Sequence, residues 1–123
     1  MGDFNRVFNR QVGFTNNLAY DNETFTQLTE ASSTASYECV DFLYHTFQYT
    51  ITLIDTNVVV RAEGSLDGTN WANLDANDID TTKTANGTYL FTFFGKINFI
   101  RFTFVSEAGG TAAKIDVKYL GGV

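Results

Sequence analysis

His45 and Cys39 are the only histidine and the only cysteine in the chain, six positions apart. A thiolate beside an imidazole is a nucleophile–base pair. To work, it needs an exposed sulfur and a third group that orients the imidazole. Nothing in the sequence around Cys39 suggests an electropositive pocket. Cys39 therefore reads as a small buried hydrophobe, and His45, at the start of a strand, as a polar edge residue. A lone cysteine excludes an internal disulfide framework. A zinc site needs three or four His, Cys or acidic ligands, and no such set is at hand.

Two other constellations could carry chemistry. Asp75, Asn77, Asp78 and Asp80 place oxygens at near-alternate positions, which is how a loop wraps Ca²⁺. The spacing is not that of an EF-hand, and the run reads as a solvated loop. Tyr89, Phe91, Phe93 and Phe99 could form a platform for stacking sugar rings. Tyr89, Phe91 and Phe93 share one strand face, however, and core is the more common fate of such a row. Phe94 and Phe99 have the opposite parity from the apolar rows of their strands, which marks them as candidates for an exposed, partner-binding patch. Gly64, Gly68, Gly109 and Gly110 lack the strand–Lys–helix setting of a phosphate loop and connect strands instead. No candidate acid, base and nucleophile come together, so neither catalysis nor a cofactor is expected.

The elements that must position these residues are strands. Phe and Tyr are heavily used, Thr, Asn and Val are frequent, and Pro is absent. With 123 residues the chain fits one domain with one core. There is no apolar run of membrane-spanning length, and charged residues at Asp3, Arg6 and Arg10 argue against a secretory signal. Net charge is −6. Residues 21–80 hold eleven acids and Arg61 as their only Arg or Lys. Nucleic acid is a poor partner for such a chain, because phosphate affinity rests on clustered Lys and Arg. The acidity suits solubility, or a basic surface on a protein partner.

Residues 1–14 form a unit of their own, an N-terminal arm or edge strand, ahead of a domain at 15–123. Phe4-Asn5-Arg6 recurs as Phe8-Asn9-Arg10. The segment suits either a helix or an extended chain, and it either completes the domain's sheet or docks on a neighbouring subunit through Phe4, Arg6, Phe8 and Arg10. Short strands are expected at 24–28 and 37–44, and a loop at 30–36. From residue 45 the pattern is period two. Phe47, Tyr49, Ile51 and Leu53 alternate with Thr and Gln, and Val58, Val60 and Ala62 follow after the turn at Asp55-Thr56-Asn57. So short a connection predicts an antiparallel hairpin of these two strands. Asp67-Gly68-Thr69-Asn70 is the clearest turn, and the sole tryptophan, Trp71, lies just past it, placed to seal the end of a core. Strands at 88–94, 100–104 and 113–119 complete a set of seven to nine. Short strands in this rhythm predict a single all-β domain, an antiparallel jelly-roll-like β-sandwich.

The stretch Glu63-Gly64-Ser65-Leu66-Asp67-Gly68-Thr69-Asn70-Trp71 resembles the Ser-x-Asp-Gly-x-x-Trp hairpin of discoidin-type (coagulation factor 5/8 C-type) jelly-roll domains. Asn98-Phe99-Ile100-Arg101-Phe102 resembles the strand that follows it there. The resemblance implies structural roles for Asp67, Gly68, Trp71 and Arg101, with a carbohydrate-binding adhesion module as the corresponding function. The run from Val58 to Gly122, closing on Gly109-Gly110-Thr111-Ala112-Ala113-Lys114-Ile115-Asp116-Val117-Lys118-Tyr119-Leu120-Gly121-Gly122, is similar in style to small structural proteins of tailed-phage virions. That second resemblance implies a capsid decoration (cement) protein, assembled in the host cytoplasm and located on the capsid surface, with a tail or fibre component as the lesser alternative. Its partners would be the major capsid protein or other virion proteins. A homo-oligomer, for instance a trimer on a capsid axis, would be natural, with no nucleic-acid or membrane partner.

Overall fold

Apolar residues at every second position give a strand one dry face, and two such sheets can cover each other. The computed structural model describes residues 20–123. The arm, with Phe4, Arg6, Phe8 and Arg10, lies outside them. Among the described residues there is no helix, and ten strands follow one another: β1 (Tyr20–Thr24), β2 (Ser32–Ser33), β3 (Tyr37–Glu38), β4 (Tyr44–Thr52), β5 (Asn57–Ser65), β6 (Ala72–Asn73), β7 (Thr81–Lys83), β8 (Gly87–Phe94), β9 (Phe99–Ala108) and β10 (Lys114–Gly122).

One sheet, A, has the order β1-β10-β4-β8. The other, B, has β9 and β5 at its centre, with β2 and β3 beside β9 and β6 and β7 beside β5. Every pairing is antiparallel. Following the chain, each passage between long strands changes sheet, and the short strands keep company within sheet B. That alternation between two sheets is the wrapping of a jelly roll, as the sequence pattern predicted.

The core comes from the dry rows of both sheets. Phe47, Tyr49 and Ile51 of β4 and Ile115, Val117 and Tyr119 of β10 face Val58, Val60 and Ala62 of β5 and Ile100, Phe102 and Phe104 of β9, all buried. Aromatic rings meet across the layers, with Phe102 at 4.7 Å from Tyr49 and 5.3 Å from Phe47 between centroids. These are favourable tilted geometries. On β8 the row Tyr89, Phe91, Phe93 points inward but is only half-buried, β8 being the outermost described strand of its sheet.

Three expectations are corrected. β4 and β5 are not a hairpin: β4 pairs with β10 and β8, β5 with β9, β6 and β7. The link between them is an arch across the core. Leu53 takes φ 62°, which turns the chain out of sheet A and leaves its side chain exposed, and the Ile54 N–H donates to Asn86 Oδ1 (2.9 Å). The segment 37–44 is not one strand: only Tyr37 and Glu38 pair, with Ile100 and Phe99. The strand expected at 24–28 lies earlier, at Tyr20–Thr24, leaving a single bridge from Leu28 to Ile115.

Gly109 shows why the β9–β10 passage needs glycine. Its φ is +88°, and a Cβ there would lie 2.2 Å from Thr56 Oγ1. The two arches at that end of the sandwich touch, and a side chain would separate them.

Candidate functional site

Three regions hold the residues singled out above. The first is inside the sandwich. His45 has the same parity on β4 as Phe47, Tyr49 and Ile51, and is 1% exposed. It is therefore not an edge residue, since β4 is flanked on both sides and its odd positions face the core. Its Nε2 lies 3.0 Å from the Gly95 carbonyl, which can only accept, so Nε2 carries the hydrogen. Nδ1 then accepts from the Tyr119 hydroxyl at 2.6 Å. Burial pushes the imidazole below its usual value, against the raising effect of the Gly95 and Phe42 backbone. Burial also raises the Tyr119 phenol, with Cys39 and Tyr37 adding to it. Cys39 is fully buried and its Sγ lies 3.7 Å from the Ile97 carbonyl. His45 is thus bound to Tyr119 and Gly95, and both it and Cys39 are closed to a substrate. The arrangement is a satisfied polar cluster in an aromatic core.

The second region is the outer face of sheet B, where Trp71 lies. Trp71 does not seal the core. It stacks under the guanidinium of Arg101, 4.2 Å from the ring centroid, on the solvent side of β9. Arg101 Nε donates to Glu63 Oε1 (2.6 Å), which also accepts from Thr103 (3.0 Å). Arg61 donates to Glu63 Oε2 (3.2 Å) and, in a two-pronged pair, to Asp80 (2.7 and 2.9 Å). Burial would raise the Glu63 carboxyl; the bonds from Arg101 and Thr103, the charge of Arg101 and the bond from Arg61 outweigh it and hold the group below its ordinary value. Asp80 is lowered chiefly by its bonds from Arg61.

The acidic loop is spent in the same way. Asp80 is bound by Arg61 and Asn73, and Asp75 Oδ2 accepts from the Asn77 and Ile79 N–H groups. Among the described residues no three His, Cys, Asp or Glu side chains converge as metal ligands. The neighbouring hairpin is held by Asp67, whose Oδ1 accepts from the N–H groups of Asn70 and Thr69 (2.8 Å each) and from Ser65 Oγ (3.0 Å). These bonds hold its carboxyl far below the usual range. Gly68, at φ 76°, makes the turn, and the half-buried ring of Phe99 lies against it.

The third region is the outer face of sheet A. At one end, the rings of cross-strand neighbours Tyr44 and Phe94 meet at a tilt, 4.9 Å between centroids, with Phe94 62% exposed and Tyr44 51% exposed. Tyr20, Leu120 and Leu90 are also exposed on this face. Beside them runs a groove of about 360 Å³ lined by Asn22, Thr46, Gln48, Leu90, Lys118 and Leu120. Exposed aromatics gathered on an otherwise Thr- and Lys-bearing sheet make this the candidate contact surface. Phe94 and Phe99, paired as candidates by their parity, lie on opposite sheets.

No protein-family model matches the chain, and no curated protein matches it in sequence. Solved structures match in fold. The SPBc2 prophage-derived protein YomS aligns with a TM-score of 0.57 at 13% identity, over 83% of this chain and 91% of that one. The PBSX exported protein XepA aligns with a TM-score of 0.53 at 13% identity, over 89% of this chain and 39% of XepA. An isomalto-dextranase of Arthrobacter globiformis T6, complexed with panose, aligns with a TM-score of 0.52 at 6% identity, over 83% of this chain and 23% of the enzyme. This chain thus spans well under half of the last two. It has the fold of phage-derived β-sandwich proteins, as the resemblance implied.

Proposed function

We propose that this chain is a non-enzymatic structural protein of a tailed-phage virion, a decoration (cement) protein that binds the major capsid protein and stabilises the head. The observation that carries this reading is the whole-domain likeness to YomS. Two chains share one sandwich over most of both lengths, whereas in the dextranase the same sandwich is a small part of an enzyme. Two further features support it. The polar side chains that could do chemistry are tied to each other in the core or on sheet B. The exposed aromatics of sheet A offer a rigid, dry contact. The arm at residues 1–14 adds a second attachment through Phe4, Arg6, Phe8 and Arg10.

The test is co-sedimentation with purified capsids, followed by heating of the decorated shells. Binding that raises the temperature of shell disruption supports the reading. Failure to bind any virion assembly refutes it. Deleting residues 1–14 separates the two contacts: a folded truncation that binds shells in full removes the arm from the account.

One observation favours a carbohydrate-binding adhesion module as the alternative. The groove on the outer face of sheet A holds hydrogen-bonding Asn22, Thr46 and Gln48, and its Thr46 lies two positions along β4 from Tyr44 of the exposed Tyr44–Phe94 pair. A glycan-array signal abolished by Phe94→Ala, with no binding to shells, would replace the first reading with this one.

A further inference from the structure

A strand at the rim of a sheet exposes backbone donors and acceptors that another chain can pair with, and folded proteins usually blunt such rims. Here most rims are blunted. β1 is five residues long and carries Asp21 and Glu23. Sheet B ends in strands of two or three residues, namely β2 and β3 on one side and β6 and β7 on the other. β8 differs. It runs eight residues, Gly87–Phe94, without a charge or a proline, and in unbroken register with β4. Its far side pairs with no other described strand.

The direction of its unused backbone groups follows from one hydrogen bond. The Gly95 N–H donates to Leu43 O (2.8 Å), one step beyond the Tyr44–Phe94 pair. In an antiparallel ladder, bonded and non-bonded pairs alternate. Odd positions of β8 therefore bond to β4, and Thr88, Leu90, Thr92 and Phe94 turn their N–H and C=O groups outward. Side chains on both faces of the strand have apolar surface left to cover. Leu90 is 68% and Phe94 62% exposed, and the inward row Tyr89, Phe91, Phe93 is half-buried.

We propose that β8 pairs antiparallel with β8 of a second copy about a two-fold axis at Phe91, joining two A sheets into one. In this register Thr88 bonds to Phe94 and Leu90 to Thr92 of the other copy, so all outward backbone groups of both strands are used. On the inner face Phe91 meets Phe91, and Tyr89 meets Phe93. On the outer face Leu90 lies diagonal to Leu90 and Phe94 of the other copy. Registers shifted by two residues leave a backbone pair unmade and place Gly87 or the turn opposite an aromatic.

The choice of a second copy rests on charge and area. The chain carries −6 and repels its own kind over most of its surface. β8 has no charged side chain, and Lys83 beside it lies over the Tyr89 ring at 4.1 Å. A strip about 27 Å long covers on the order of 500 Å² per copy, against about 800 Å² in a standard interface. A patch of this size makes the dimer a weak, reversible one. This inference stands apart from the virion reading, since it concerns the purified chain alone.

The experiment is sedimentation equilibrium of the full chain from about 1 to 500 µM, with variants. Wild type should pass from monomer to dimer. Leu90→Lys and Thr92→Pro should stay monomeric throughout; proline at 92 removes an N–H that is unpaired in the monomer, so the fold tolerates it. Register is read by oxidation: Phe91→Cys should form a covalent dimer, because a non-bonded antiparallel pair brings the two Cα atoms to about 4.5 Å. Thr88→Cys should not, because its two copies are about 20 Å apart. Deleting residues 1–14 should leave the dimer intact. The proposal is overturned by a wild type that remains monomeric at 500 µM, by a dimer that survives Thr92→Pro, or by a dimer lost with the arm. A dimer that appears only when the arm is deleted also overturns it, because the chain's own arm would then be the occupant.

Discussion

Acid should weaken this fold through His45 before the carboxylates contribute. His45 is the sole histidine, and its pKa in the folded protein lies below the ordinary value of 6.5 because burial disfavours the charged ring. In the unfolded chain the ring takes a proton near pH 6.5. In the folded chain it stays neutral to lower pH, so unfolding takes up a proton in the window between. The stabilisation is complete above pH 6.5 and is lost as pH falls toward the folded value. One proton sets the ceiling at about 1.4 kcal/mol per pH unit, or about 2 kcal/mol between pH 7.5 and pH 5. For a domain of this size that is roughly 5–8 °C in Tm. The direction follows from burial: the ring is 1% exposed, and the charged form would lose its hydration there, against the partial support of the Gly95 carbonyl at Nε2. The carboxyls of Glu63, Asp67 and Asp80 are lowered from ordinary values of 4.5, 3.8 and 3.8, so their losses fall mainly below this window. The assay is urea unfolding followed by Trp71 fluorescence at pH 7.5, 6.5, 5.5 and 5. His45→Gln, which keeps a donor and an acceptor, should start less stable and show a flat response. Equal urea midpoints at pH 7.5 and 5.5 in wild type, or the same decline in His45→Gln, would refute the reasoning.

Other substitutions test other parts of the architecture. Phe102→Ala removes a ring packed against Phe47 and Tyr49 and should cost about 3–5 kcal/mol by chemical denaturation. Glu63→Gln leaves Arg101 and Arg61 without their shared buried carboxylate, and a loss of about 2–4 kcal/mol is expected in the same assay. Gly109→Ala forces a Cβ against Thr56 at positive φ and should destabilise by about 2 kcal/mol or more, read as a drop in Tm. Asp67→Ala frees the amides of Thr69 and Asn70, whose hydrogen exchange should quicken while that of β9 and β10 stays slow.

Which side of each strand is dry was legible in the chain, because side-chain alternation is local and needs no partner. Phe47, Tyr49, Ile51, Val58, Val60, Ile100, Phe102, Ile115, Val117 and Tyr119 all face inward as their spacing requires. The same parity held a signal for His45, which occupies an inward position of β4; its residue type drew attention away from its place. The Asp67-Gly68 turn was equally local, and β5 and β6 flank it as a hairpin.

Strand partners were decided only in three dimensions. A short link after β4 permits a hairpin or an arch, and each keeps the same alternation. The choice falls to the positive φ of Leu53, to the capture of Ile54 by Asn86, and to sheet A, where β10 and β8 take the two sides of β4. Trp71 went the same way, because Arg101, thirty residues on, gives its ring a cationic partner on the wet side of β9. Alternation is written in neighbouring residues, so one chain displays it. Pairing is a competition among distant segments for the same backbone groups, and only the assembled sandwich shows which segments prevailed.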